Sequence, residues 1–156
     1  SGIRGVVHIQ RPASEVFAFV ADYRHDPAWR REVRSVTYTT PEPAAAADSQ
    51  FVEIATGLGA RRESWQEIVR CEPDVSIACA TFKAAVPQVT ERSVKPSGGG
   101  TELVIQIHYT TAAGWKDRFV RPIMRSVEQR RLNRALLNLK RLLEQGDIIP
   151  TYNGGR

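Results

Sequence analysis

The sequence predicts an α+β fold in which a seven-stranded antiparallel sheet is covered by one long C-terminal helix. Short segments rich in β-branched residues follow one another through most of the chain, separated by turn residues. Two short helical patterns interrupt them once, after the first strand. Residues 123–144 contain neither glycine nor proline and are mostly good helix formers.

The elements follow in a simple order. We predict strand 3–10, helices 14–21 and 26–32, and strands 33–40, 49–56, 61–70, 75–82, 86–95 and 101–110. The last strand alternates most clearly between apolar and polar residues. Consecutive strands joined by tight turns form an antiparallel meander with one apolar face. Only the final helix is large enough to cover that face.

That helix spans roughly 33 Å over residues 123–144. Pro122 lacks an amide donor, so we expect a kink or a short separate turn at 115–121. Helical projection gathers one apolar stripe, composed of Val120, Met124, Val127, Leu132, Ala135, Leu136, Leu139, Leu142 and Leu143. Glu128, Arg131 and Asn138 fall within it. Either these groups pair and reach solvent at its edge, or they point into a cavity beneath the helix.

Length and composition predict a single domain over residues 1–146, followed by a loose tail at 147–156. The chain has 156 residues, of which 42% are apolar and 25% charged. Outside an alanine-rich loop the longest apolar run is 16–21, which is too short to span a membrane. We see no signal peptide and expect a cytoplasmic protein, although the sequence begins Ser-Gly and leaves an upstream leader open.

The net charge of +5 is concentrated near the C-terminus. Residues 114–156 hold ten Lys and Arg against four Asp and Glu. The basic helix at 123–144 has no aromatic residues for base stacking, so we expect a solvated helix face and no nucleic-acid partner. A protein-interaction module that uses this basic face stays open as a third functional hypothesis. The oligomeric state is not predicted.

Metal and cofactor chemistry has no sequence support. If residues 72–75 form a tight turn, Cys71 faces Ser76 and lies on the opposite face from Cys79, which prevents a disulfide. His8 and His108 fall on outer strand faces, and His25 falls in a loop between the two short helices, so no zinc set is expected. The sequence has no GxSxG nucleophile motif. We therefore predict no cofactor and no metal.

Several stretches together resemble the START-like helix-grip (SRPBCC) superfamily, in its polyketide cyclase/dehydrase and lipid-transport branch. They are IQRPASEVFAFVADYRHDPAW (9–29), CEPD (71–74), GGGTELVIQI (98–107) and LNRALLNLKRLLEQG (132–146). The resemblance implies a curved sheet around the long helix, with an apolar ligand held between them. Some members cyclise or dehydrate polyketide chains and many only bind or carry. The branch has no fixed catalytic signature, so the resemblance assigns no catalytic residue.

Strand parity selects the candidate site residues. A hairpin turning at Gly98–Gly99 pairs Val94 with Leu103, Arg92 with Ile105, Thr90 with Ile107, and Gln88 with Tyr109. Arg92, Thr90 and Gln88 then share the inner apolar face. An inward arginine needs a partner. It either pairs with Glu128 of the helix or faces a ligand.

The predicted ligand-binding residues are Trp29, Gln88, Thr90, Arg92, Ile105, Tyr109, Phe119 and Arg131. Trp29 and Tyr38 either line the cavity entrance or anchor the short helices. Trp115 and Phe119 lie where they could gate it. Trp65 is predicted to face outward unless a bulge intervenes.

Two functions remain from these residues. The first is binding of a small hydrophobic or aromatic molecule, such as a lipid or a polyketide-like compound, between the sheet and the helix. The alternative is a polyketide cyclase or aromatase-dehydratase that uses the same cavity. In that case Tyr109 and Glu128 are the candidates for proton transfer, and Arg92 would stabilise an oxyanion.

Overall fold

A computed structural model describes residues 2–41, 44–57, 59–109 and 115–145, with side chains in the last segment described from residue 123. The strands are β1 (Gly2–Ile9), β2 (Val33–Tyr38), β3 (Gln50–Gly57), β4 (Ala60–Glu72), β5 (Ser76–Lys83), β6 (Gln88–Ser97) and β7 (Gly100–Tyr109). The helices are α1 (Ala13–Val20), a 3₁₀ helix (Tyr23–Ala28) and α2 (Trp115–Glu144). The predicted tail at 147–156 lies outside the described residues.

The seven strands form one curved antiparallel sheet in the order β1-β7-β6-β5-β4-β3-β2. From β2 to β7 every strand pairs with its neighbour in sequence, as in an antiparallel meander. A longer connection joins β2 to β3, and short turns join the later strands. β1 closes the order by pairing with β7. The predicted α+β architecture is confirmed.

The hairpin of β6 and β7 has the predicted register. Val94 pairs with Leu103 and Arg92 with Ile105. Gly98 and Gly99 turn the chain with φ of 53° and 81°, a left-handed conformation that glycine adopts without strain. This turn fixes which β6 side chains face inward.

The second short helix differs from its prediction. It is a 3₁₀ helix over Tyr23–Ala28, rather than a helix over 26–32. Asp22 explains the earlier start, since its side chain accepts a hydrogen bond from the backbone N–H of Arg24 at 3.1 Å. His25 therefore lies within this helix, where it stacks on Phe19 with ring centroids 4.3 Å apart.

The apolar stripe of α2 packs against the sheet through its C-terminal half. The buried members are Leu132, Ala135, Leu136, Leu139 and Leu143. Gly5 of β1 permits close approach, because a Cβ there would lie 2.6 Å from Leu136 Cδ1. α2 is one helix from Trp115, so the separate turn expected at 115–121 is not formed.

The cysteine prediction was wrong in its geometry. β4 carries a bulge at Val69, which shifts its register with β5 by one residue. Beyond the bulge Cys71 pairs with Ile77 rather than with Ser76. Directly paired residues share a face, so Cys71 lies on the inner side with Cys79. Both are free thiols.

Candidate functional site

A cavity of about 310 Å³ lies between the sheet and the middle of α2, at residues 124–135. This volume is at the lower end of the range for small-molecule sites. Its apolar wall is composed of Ile3, Ala55, Ala84, Ala85, Val86, Ile107, Met124, Leu132 and Ala135. The cavity forms there because the buried side chains of α2 begin at Leu132, whereas Met124, Glu128 and Arg131 are only half-buried.

The wall also carries more charge than the sequence predicted. Four arginines and four glutamates line it: Arg30, Glu32, Glu53, Arg62, Glu63, Arg125, Glu128 and Arg131. Arg131 Nη1 lies 2.9 Å from Glu128 Oε1, and Arg30 Nη1 lies 2.8 Å from Glu53 Oε1. Within each pair, the positive charge of the arginine is balanced by the negative charge of the glutamate.

Two other arginines of the wall could form a hydrogen bond or an ion pair with a bound molecule. Arg62 and Arg125 form no hydrogen bond or ion pair with any other residue in the described part of the chain. Arg62 lies close to Arg131, since a Cβ on Gly57 would be 2.9 Å from Nη2 of Arg62 and 3.7 Å from Nη2 of Arg131. Strand parity could not have found Arg30, Glu53 or Arg62, because it does not show where α2 leaves a gap.

Three of the predicted ligand-binding residues, Gln88, Tyr109 and Arg131, line the cavity. Burial, reinforced by the nearby Glu128 carboxylate, raises the pKa of Tyr109 to about 12. The Tyr109 hydroxyl therefore stays protonated near neutral pH. It can donate a hydrogen bond to a bound molecule.

Arg92 faces inward as predicted, but its partner is not Glu128. Its side chain is 3% exposed and lies 2.6 and 2.9 Å from the two carboxylate oxygens of Asp26, in the 3₁₀ helix. Arg92 Nη1 also donates to the carbonyl oxygen of Val20 at 2.8 Å. The prediction failed because it considered only α2 as a source of carboxylates. The carboxylate that pairs with Arg92 comes instead from Asp26 of the 3₁₀ helix.

Asp26 joins two arginines in one buried network. Its carboxylate, fully buried, also accepts from Arg30 Nη1 at 2.9 Å. Burial alone would lower the pKa of Arg92, but the Asp26 carboxylate more than offsets this and raises it above its usual value. Both guanidinium groups thus stay charged, and Arg30 extends the network to Glu53 at the cavity wall.

A second, smaller chamber of about 30 Å³ adjoins the large cavity. Trp29, Thr90, Arg92 and Ile105 line only this chamber. Five residues line both spaces: Arg30, Glu53, Gln88, Ile107 and Leu132. The predicted ligand-binding residues are therefore divided between the two spaces, with Gln88 at their boundary.

Comparison with known proteins places this architecture in a family. The profile described as polyketide cyclase / dehydrase and lipid transport matches residues 2–144. The chain belongs to this family. No curated protein matches the sequence.

Solved structures similar to this member of the polyketide cyclase/dehydrase and lipid-transport family share its START-like helix-grip fold. TTHA0849 from Thermus thermophilus has a TM-score of 0.79 at 15% identity, over 98% of this chain and 100% of that one. A START superfamily protein from Mycobacterium smegmatis has a TM-score of 0.74 at 14% identity, over 92% and 97% of the two chains. DR_A0006 from Deinococcus radiodurans has a TM-score of 0.68 at 21% identity, over 94% and 99%. At these identities the likeness shows the fold alone.

Two further aromatic candidates of this family member, Tyr38 and Trp65, are not among the residues that line the large cavity. Tyr38 packs on Phe51, with ring centroids 5.4 Å apart, and its hydroxyl accepts from the backbone N–H of Tyr23. This arrangement anchors the 3₁₀ helix. Trp65 faces outward, as predicted, and contacts Phe82 edge-on. Trp115 and Phe119 have side chains outside the described residues.

Neither a metal cluster nor a membrane span is found in the described part of this family member. Among those residues no group of three or more His, Cys, Asp or Glu side chains is arranged to hold a metal ion. No helix within the described ranges has the length and apolarity needed to cross a bilayer.

Proposed function

We propose that this protein binds a small hydrophobic or aromatic molecule, lipid or polyketide-like, in the cavity between its sheet and α2. One observation carries the proposal: a partly open cavity of about 310 Å³ between the sheet and α2, with nine apolar residues in its wall. A cavity of this size and mixed apolar lining is typical of small-molecule sites. An apolar guest would cover the apolar part of the wall.

The polar groups of the wall would orient such a guest. Tyr109 offers a hydroxyl donor and Gln88 an amide. Arg131 uses Nη1 in its pair with Glu128, and the other N–H donors of its guanidinium group can contact a guest. A few convergent polar groups on an apolar wall are typical of ligand sites that select orientation. The family description, which includes lipid transport, supports the same class of ligand.

Native mass spectrometry of the purified protein tests this function. We expect a fraction of the protein to carry an added mass that is lost under denaturing conditions, and we expect extraction with organic solvent to recover an apolar molecule. A preparation that carries no added mass, and that stays so after incubation with long-chain lipids and polycyclic aromatic compounds, would contradict the proposal.

A second candidate function, polyketide dehydration, is favoured by the presence of Tyr109 and Glu128 in the wall of one cavity. Both side chains can therefore face the same guest. Glu128 would take a proton from the carbon beside a ketone while Tyr109 protonates the departing hydroxyl, which leaves as water. The proton on Glu128 then returns to the Tyr109 phenolate.

Two isosteric variants separate the functions. A carrier should keep its ligand affinity in Tyr109→Phe and Glu128→Gln within about threefold. A dehydratase should keep binding and lose about 100-fold or more in turnover of a β-hydroxy ketone, the usual contribution of a general acid or base. Equal loss of binding and turnover in both variants would speak against a proton-transfer role.

A further inference from the structure

The small chamber beside the main cavity has an unusual set of polar atoms. Tyr23 Oη, Trp29 Nε1 and Arg92 Nε are buried and have no hydrogen-bond partner among the described residues. All three residues line the chamber, and each is at most 2% exposed. Buried polar atoms in folded proteins nearly always have a partner. Three orphans around one small space therefore indicate a missing occupant.

We propose that this chamber receives a neutral oxygen acceptor, a ketone carbonyl or a hydroxyl, at the leading end of the ligand. The inference rests on the proposed function, since the rest of that ligand occupies the main cavity. It specifies what the apolar guest must carry and where.

The chemistry of the three groups requires an acceptor. The indole Nε1–H and the guanidinium Nε–H can only donate. Burial raises the pKa of Tyr23 well above its usual value, so its hydroxyl keeps a proton to donate. The Tyr23 hydroxyl interacts with the Cys79 side chain, but a thiol sulfur is a weak acceptor, and its own proton is directed to Gln66 Oε1 at 3.2 Å. The hydroxyl therefore lacks a strong acceptor.

The charges around the chamber favour a neutral acceptor over a carboxylate. Arg92 is already neutralised by two contacts with Asp26, and Arg30 is shared between Asp26 and Glu53. A further carboxylate would enter beside two existing ones without a cation of its own. Burying an unpaired charge is unfavourable, whereas a carbonyl oxygen needs only the donors present.

The size of the chamber limits what enters it. A space of about 30 Å³ holds a water molecule or a single carbonyl or hydroxyl group, and is about a tenth of the main cavity. Gln88, Ile107 and Leu132 belong to both walls, so a molecule seated in the main cavity can place its end in the chamber. An ordered water is the competing occupant.

A matched pair of bicyclic compounds tests the inference. The fluorescent probe N-phenyl-1-naphthylamine is displaced from the intact protein by 1-tetralone, a ketone, or by tetralin, which has the same ring system without the oxygen. The two dissociation constants are compared in the wild type, Tyr23→Phe and Trp29→Phe. Trp65→Phe, on the outer face of the sheet, is the control.

We expect Tyr23→Phe to weaken 1-tetralone about 2- to 10-fold, the loss of one hydrogen bond, and to leave tetralin unchanged. Trp29→Phe should act in the same way, and Trp65→Phe should change neither compound. If Trp29→Phe fails to fold, as judged by circular dichroism, Tyr23→Phe decides alone, because its ring still stacks on Phe51 at 4.6 Å.

Two negative results have different meanings. If the probe still binds and Tyr23→Phe changes the dissociation constants of tetralin and 1-tetralone equally, the inference is overturned and the chamber holds only water. Failure of the probe and both compounds to bind the wild type would instead refute the proposed function, and the inference with it.

Discussion

Asp26 is a single buried carboxylate that connects two strands to the 3₁₀ helix at the base of the site. It contacts Arg92 of β6 and Arg30, which in turn reaches Glu53 of β3. Replacing one member of such a network leaves another charge buried without compensation. The network therefore stabilises the fold and also sets the charge balance of the cavity floor.

Asp26→Asn should lower the free energy of unfolding by about 3–5 kcal/mol, because Arg92 then stays buried beside a neutral amide. Glu91→Gln, which breaks the exposed pair between Arg70 and Glu91, is the control and should cost at most about 1 kcal/mol. Urea denaturation at neutral pH measures both. Equal costs for the two variants would show that the buried network is not needed for stability.

The buried thiol of Cys79 should make the free energy of unfolding fall as the pH rises into the alkaline range. Burial raises its pKa from 9.0 to about 11, so the folded protein keeps a proton that the unfolded chain releases. Its stabilisation is complete below pH 9 and is lost as the pH rises to about 11. The stability difference between wild type and Cys79→Ala should therefore shrink by about 2–3 kcal/mol between pH 8 and pH 11.

Cys71→Ala is the control for this pH dependence. Burial also raises the pKa of Cys71, but its side chain is only half-buried. Its difference from the wild type should change less over the same range, as followed by urea denaturation at each pH. A larger change for Cys71 than for Cys79 would contradict the assignment.

The sequence predicted the direction of the Arg92 side chain but not its partner. The inward direction of Arg92 followed from strand parity, because the Gly98–Gly99 turn fixed the register. Its partner Asp26 lies 66 residues away in a short helix whose docking no periodic pattern encodes. The same holds for Arg30, which reaches the cavity from the loop after that helix.

Among the elements, α2 decides both the core and the cavity. Its C-terminal half buries a row of leucines against the sheet, and residues 124–135 in its middle line the cavity. The stripe predicted by helical projection contains all five buried residues in the described part of α2, but it also contains Met124, Val127 and Leu142, which are only half-buried. The alternation of residues in β4 did not predict the bulge at Val69.

Leu139→Ala should destabilise the protein by about 2–5 kcal/mol, because Leu139 is fully buried in the core. Leu137→Ala on the same helix removes a side chain that is 57% exposed, and should cost about 0.5 kcal/mol or less. Helix propensity changes equally in both variants. Comparable costs in urea denaturation would place the packed face of α2 elsewhere.

At the scale of the whole molecule, a sheet and a helix meet closely at one end and separate at the other. The element order predicted a sheet under a helix, and the resemblance to the helix-grip superfamily implied the space between them. The mixture of four arginines and four glutamates around that space was not predicted. These residues belong to β3, β4, the loop before β2 and α2, and the convergence of these elements is not specified by the patterning of a single chain.

The central claim is that this space binds an apolar molecule, and a fluorescence titration with N-phenyl-1-naphthylamine tests it most directly. Ala135→Phe fills part of the cavity from α2, while Leu137→Phe adds the same ring on the exposed side of that helix. We predict saturable binding to the wild type and to Leu137→Phe, and binding about tenfold weaker or worse to Ala135→Phe. No saturable binding to the wild type, or equal binding by all three folded proteins, would contradict the claim.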